Sequence, residues 1–250
     1  MPVVRSMILK KQDRGEADEL VIFLSRELGW LRGVAKNAKK SRIRFGGHLE
    51  PFSLVDLTIR SRQKDTMVWI DEAQALHGFL GIRSDIKKVA HAAYFFELTY
   101  GLLPENQPDK DIFEFLNLFL YNLETTRFKP VRYLLEEIRL LGKLGYAPRF
   151  DMCPNCGKKI AVGQSAFFSL NLGGACHREC LAVIDPTDLV LSPSTMALVR
   201  RGLEMPRQAA DRLSLNRTGR NELRRTISAF VTHLLGRQLN SLTFLEKIEP

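Results

Sequence analysis

The first third of the chain is patterned in short apolar runs. Residues 3–10, 20–25, 31–35, 52–59 and 66–70 are rich in Val, Ile, Leu, Phe and Trp, and segments 13–16, 28–29 and 61–65 separate them with polar and turn residues. Such runs between such breaks predict strands. The second half of 53–59 alternates apolar with polar, as a strand with one wet face does. Five short strands with no strong helix between them predict a small closed or partly closed barrel, and the five-stranded oligonucleotide-binding (OB) fold is the commonest of that size.

From Ser84 the apolar period becomes helical. Residues 86–103 space Ile86, Val89, Ala90, Ala93, Phe96 and Leu103 for one face and end before Pro104. Residues 112–123 follow the acids Asp109 and Asp111, which suit a helix N-terminus. Residues 130–145 place Val131, Leu134, Leu135, Ile138, Leu141 and Leu144 on a stripe, with Glu136, Glu137, Arg139 and Lys143 off it. An antiparallel bundle is expected. Its rings (Tyr94, Phe95, Phe96, Phe113, Phe115, Phe119) exceed what one stripe needs; they fill a core or line a groove for a partner peptide. The helical pattern stops over about 149–186, where 166–170 reads as a strand. It resumes at Ser192 and Pro193, a cap followed by a first-turn proline. A last long helix at 221–239 buries Leu223, Ile227, Phe230, Val231, Leu234 and Leu235. The organisation predicted is α+β: an OB barrel at 1–80, then a helical domain at 81–250 interrupted at about 149–186.

That interruption holds all four cysteines: Cys153 and Cys156 around Pro154-Asn155, then Cys176 and Cys180 around His177-Arg178-Glu179. Two close pairs across a short insert give half-sites for a tetrahedral Zn2+ of the ribbon type. Disulfides are the competing reading. They are disfavoured by the clustering and by an N-terminus without the basic-then-apolar pattern of a signal peptide, which points to a reducing cytoplasm. Cys153, Cys156 and Cys180 are the expected ligands, with Cys176 or His177 as the fourth. A closed site of this kind is structural.

Charge sharpens the picture. The chain has 250 residues and a net charge of +9, and the excess lies at the ends: +4 over 1–80 and +5 over 198–250, with the middle neutral. Between the third and fourth expected strands, Lys36, Lys39, Lys40, Arg42 and Arg44, together with Arg32 of the third, put six cations in thirteen positions without an acid. Small residues and glycine predict a loop there, free to follow a phosphate backbone. Phe45 is a candidate base-stacking ring beside it, although core packing is the alternative for Phe45, Trp30 and Trp69. Arg217, Arg220, Arg224, Arg225 and Arg237 on and before the last helix are a second phosphate contact or ordinary solvation, with Arg220, Arg224 and Arg225 the candidates retained.

Catalytic patterns are absent. Gly157-Lys158-Lys159 lacks the rest of a phosphate loop, and no nucleophile elbow or acidic cluster for metal-assisted hydrolysis is present. Asp185 and Asp188 sit at an expected turn, and His48, His77, His91 and His233 are scattered. The sequence argues for a binder, with a nuclease remote.

Four segments resemble the bacterial recombination mediator family RecO, in order along the chain: 7–21 with its Gly15-Glu16 turn, 33–40 with 44–52 around the basic run and Arg44-Phe45-Gly46-Gly47, 140–148 before the first cysteine pair, and 242–245. The resemblance implies an OB domain, a helical domain and an embedded zinc module. It implies binding of single- and double-stranded DNA, annealing of complementary strands and, in the RecF pathway, RecA loading with RecR onto single strands coated by single-strand binding protein (SSB). It also implies docking of the acidic SSB C-terminal tail on the helical domain, in a groove flanked by bases such as Arg132 or Arg139. By the family's spacing His177 stands where the usual cysteine would, leaving Cys176 extra. A zinc-stabilised RNA-binding or transcription-associated module and a non-catalytic protein scaffold are the alternatives.

Overall fold

A computed structural model describes residues 1–61, 67–126, 129–181 and 189–248. Most of the expected turn at 61–65, Thr66 of the fifth expected strand, and Asp185 and Asp188 lie outside the described residues. The chain forms two compact units, Met1–Arg127 with Asn240–Pro250, and Phe128–Leu239.

In the first unit, β1 (Val3–Arg14), β2 (Asp18–Ser25), β3 (Gly29–Ala35), β4 (Leu54–Arg60) and β5 (Val68–His77) close a barrel in the order β1-β2-β3-β5-β4. This is the OB fold. Strand β1 serves two neighbours, β2 through residues 6–14 and β4 through residues 3–7, and its register shifts between Ile8 and Lys10. A bulge there bends the strand as closure requires. All pairings are antiparallel except β3 with β5. Alternate residues point inward, so Ile8, Val21, Phe23, Val55, Leu57, Ile59 and Ile70 form the barrel core. Strand β5 runs well past residue 70. Asp71, Glu72 and Gln74 obscure it in the sequence, but they face outward while the backbone continues to pair with β4.

The basic run is not all loop. After β3 the chain makes a one-turn helix, α1 (Arg42–Phe45), ended by Gly46 at φ 46°. A second short helix, α2 (Leu80–Arg83), precedes α3 (Ile86–Leu102) and α4 (Lys110–Thr125). The Asp85 carboxylate accepts from the amides of Lys87 and Lys88, and Asp109 accepts from that of Ile112, so both long helices start on acid caps. Phe95 and Phe119 stack at 3.9 Å between centroids. The six rings considered for a groove are all at most 3 % exposed, so they are core. A terminal helix, α8 (Asn240–Ile248), also belongs to this unit; the amide and hydroxyl of Ser241 donate to Glu97 Oε2 at 2.8 and 2.6 Å.

The second unit holds α5 (Pro130–Lys143), α6 (Pro193–Glu204) and α7 (Arg217–Leu235), with a three-stranded sheet of β6 (Ala166–Ser169), β7 (Gly174–Cys176) and β8 (Leu189–Leu191) in the order β7-β6-β8. Ser192 caps α6. Asn216 caps α7, whose first residue Arg217 lies four before the expected start, and Gly236 at φ 65° ends it. Among the described residues no helix is long and apolar enough to cross a membrane.

Candidate nucleic-acid interface and metal centre

The cations of the basic run divide by what holds them. Arg32, on β3, is engaged: its Nε and Nη2 reach Glu105 at 3.1 and 2.8 Å, a bidentate pair that raises its pKa. Lys39 pairs with Asp13 at 3.1 Å and donates to the Gly15 carbonyl, tying the run to the β1–β2 turn. The Arg44 guanidinium donates to the Lys36 carbonyl at 2.8 Å and to Ser41 Oγ, and lies 5.0 Å from the Phe45 ring. The Lys36 ammonium sits 4.8 Å over the Trp69 ring, a cation–π contact that the sequence separation hid. Lys40 and Arg42 remain, exposed and without an ion pair among the described residues. Phe45 is no stacking platform. It is 2 % exposed inside the barrel core, because it anchors α1 to the barrel. Trp30 likewise spends its indole N–H on the Leu103 carbonyl at 2.6 Å.

In the second unit the cysteine segment gathers Cys153, Cys156, His177 and Cys180, whose ligand atoms all lie within 4.8 Å of one another. His177 Nδ1 is 3.4 Å from Cys156 Sγ and 4.0 Å from Cys180 Sγ. Ligand–ligand spacings of roughly 3.5–3.8 Å are what a tetrahedral Zn2+ with bonds of about 2.0–2.3 Å requires. His177 Nε2 is 3.3 Å from the Lys159 carbonyl, which fixes the ring with Nδ1 inward. The two turns are held together by Asn155 Nδ2 donating to the Cys180 carbonyl at 2.8 Å. Burial opposes ionisation of Cys153, yet the amides of Cys156, His177 and Asn155 outweigh it and lower its pKa to about 6. Three sulfurs and one imidazole form a donor set suited to a closed structural ion. All four cysteines are free of disulfides.

Cys176, first named for the fourth position, is not in this group. It is fully buried on β7, its sulfur is 3.7 Å from the Gly174 carbonyl, and burial together with the neighbouring Cys153 raises its pKa to about 12. Strand pairing with Phe167 sets its direction, whereas His177, just past the strand, is free to turn toward the other ligands.

Comparison with known proteins identifies the lineage. The family model for recombination protein O, N terminal, matches residues 3–79, and that for its C terminal matches residues 83–243. The chain belongs to the RecO family. The DNA repair protein RecO of Anaeromyxobacter dehalogenans strain 2CP-C is 33% identical over 244 residues, covering 98% of this chain and 95% of that one. Those of Syntrophus aciditrophicus and Myxococcus xanthus are 31% and 32% identical, covering 97% of this chain and 94% and 96% of theirs.

In the second unit, two sequence readings meet a different arrangement: the bases expected from the resemblance to flank a groove, and the arginines of the last helix. Arg132 is 5 % exposed and its Nη1 donates to both carboxylate oxygens of Asp211, while Arg139 holds Glu136 and the carbonyls of Gly202 and Met205. Both are internal clamps. The α7 arginines do not form one patch either. Arg220 lines a groove of about 300 Å³ with Lys129, Pro130, Val131, Leu213 and Leu215. Arg225 lines a different cleft of about 490 Å³ with Arg217, Asn221 and Val190. Five residues along a helix turn through about 140°, which sends the two side chains to separate faces. Arg224, between them, is half-buried.

Proposed function

We propose that this chain is a DNA-binding recombination mediator of DNA repair. It binds single- and double-stranded DNA, anneals complementary strands and, with RecR in the RecF pathway, helps load RecA onto SSB-coated single strands. The observation that carries the reading is the pair Lys40 and Arg42, exposed and without an ion pair among the described residues, on an OB barrel in a RecO-family chain. Cations on a small rigid barrel neutralise phosphates of two strands together. They lower the repulsion that slows pairing and leave base edges free to find their complements. No bond is broken, and the protein works as a binder in the cytoplasm, on the nucleoid during repair.

The metal in this reading is Zn2+, held by Cys153, Cys156, His177 and Cys180 and serving only to clamp the module's two turns. In this reading the acidic SSB tail takes the groove lined by Pro130, Val131, Leu213 and Leu215, where Lys129, Arg212 and Arg220 suit its carboxylates and the one acid, Asp211, is already paired with Arg132. The deciding experiment follows annealing of complementary oligonucleotides with and without SSB. Acceleration in both conditions is expected, and a protein that ignores oligonucleotides at low ionic strength overturns the reading. Competition between DNA and RNA strands at fixed salt separates it from an RNA-binding module.

A further inference from the structure

The tip of the basic turn is occupied by an aliphatic residue. Ile43, second residue of α1, is 97 % exposed, while Phe45 and Leu49 beside it in the chain are each 2 % exposed. No other large apolar side chain between residues 36 and 48 is exposed. The turn that presents it is firmly held. Phe45 is sunk in the barrel core, the Phe45 amide donates to the Ser41 carbonyl, Arg44 is fastened to Lys36 and Ser41, and His48 Nδ1 is 2.8 Å from the Ala73 carbonyl. Ile43 is therefore held out on a rigid support with Arg42 next to it in the chain and Lys40 three positions back, in the turn before the Ser41 cap.

One isoleucine among cations is too small for a protein-docking patch, which needs a contiguous apolar area of a few hundred Å². It suits a polyanion whose interior is apolar. We infer that Ile43 enters between adjacent bases of a strand whose phosphates lie against Lys40 and Arg42, unstacking that step. Apolar side chains, isoleucine among them, unstack base steps in this way in proteins that wedge into duplex DNA. The inference rests on the DNA-binding reading above and adds a residue that contacts bases, where the cations contact only phosphates. An unstacked step would keep a bound single strand from folding on itself and leave its bases open to a complement.

The test uses a single-stranded oligonucleotide carrying one 2-aminopurine, whose emission rises when it loses its stacked neighbour. Emission is expected to rise when the native protein binds. Ile43→Ala is expected to lose at least about half of that rise and to keep the same salt dependence, because the phosphate contacts remain. Ile43→Leu should restore the rise. Equal rises for the native protein and Ile43→Ala overturn the inference and leave the DNA-binding reading intact, and so does a native protein that binds with no rise. Failure of the native protein to bind the oligonucleotide overturns both. The site is on the surface, so Ile43→Ala is expected to fold as the native chain does.

Discussion

Glu222 shows how much one carboxylate can organise. From α7 it accepts the Ser192 amide at 3.0 Å and the hydroxyls of Ser192 and Thr195 at 2.7 Å each, so the cap of one helix is fastened by another. Burial works against its ionisation, but these donors outweigh it and lower its pKa below the ordinary 4.5. A carboxylate with a lowered folded pKa stabilises fully above its unfolded value and loses that contribution as pH falls through the folded one. Glu222→Gln is therefore expected to cost about 1–2 kcal/mol at pH 7. The gap from the native protein should close below about pH 4.5, as read by thermal melting across pH. At the same scale, the fourth metal position depends on two adjacent residues. Cys176→Ser should retain close to one zinc per chain by elemental analysis, while His177→Ala should lose most of it. The reverse result would restore Cys176 to the site.

At the scale of elements, what the sequence carried locally was legible. Ser192-Pro193 and Asp109 mark helix starts by hydrogen bonds formed within a few residues, and α3 ends one residue from where its spacing and Pro104 place it. Strands β2 to β4 were readable because each alternates against one core. What failed depends on distant partners. The outer half of β5 is a strand because β4 lies beside it, and α1 is helical because Phe45 has a barrel core to enter. Helix α8 has only nine residues, and its burial rests on α3, 144 residues earlier in the chain at the Ser241–Glu97 contact. Leu242 and Leu245 are each 2 % exposed there. Ending the chain at Leu239 removes both, at about 1.5–3 kcal/mol each, together with two hydrogen bonds to a carboxylate. The truncated protein is expected to melt more than about 10 °C lower or to precipitate. A melting temperature within a degree or two of the native one would show that α8 contributes little.

For the whole molecule the question is how a net charge of +9 becomes a specific grip. Composition located the cations but not their availability. Arg32 and Glu105 are 73 residues apart, and only the fold reveals that this arginine is already paired. Lys39 and Arg44 serve the turn's own shape. The salt dependence of DNA binding should follow this division and not the count of basic residues. Each phosphate contact on a single strand contributes about 0.7 to the slope of log affinity against log salt. The double variant Lys40→Ala, Arg42→Ala should flatten the slope by about 1.4, weaken binding on every sequence and slow annealing. Arg32→Ala, which frees Glu105 instead of removing a phosphate contact, should leave the slope within about 0.3 of the native value. Titrating both variants with a fluorescent oligonucleotide over a range of salt concentrations distinguishes a built phosphate contact from diffuse charge. If the grip were diffuse, Arg32→Ala would lower the slope about as much per charge removed as the double variant does. If it is built, the loss falls on Lys40 and Arg42, the cations of the basic run that carry no ion pair among the described residues.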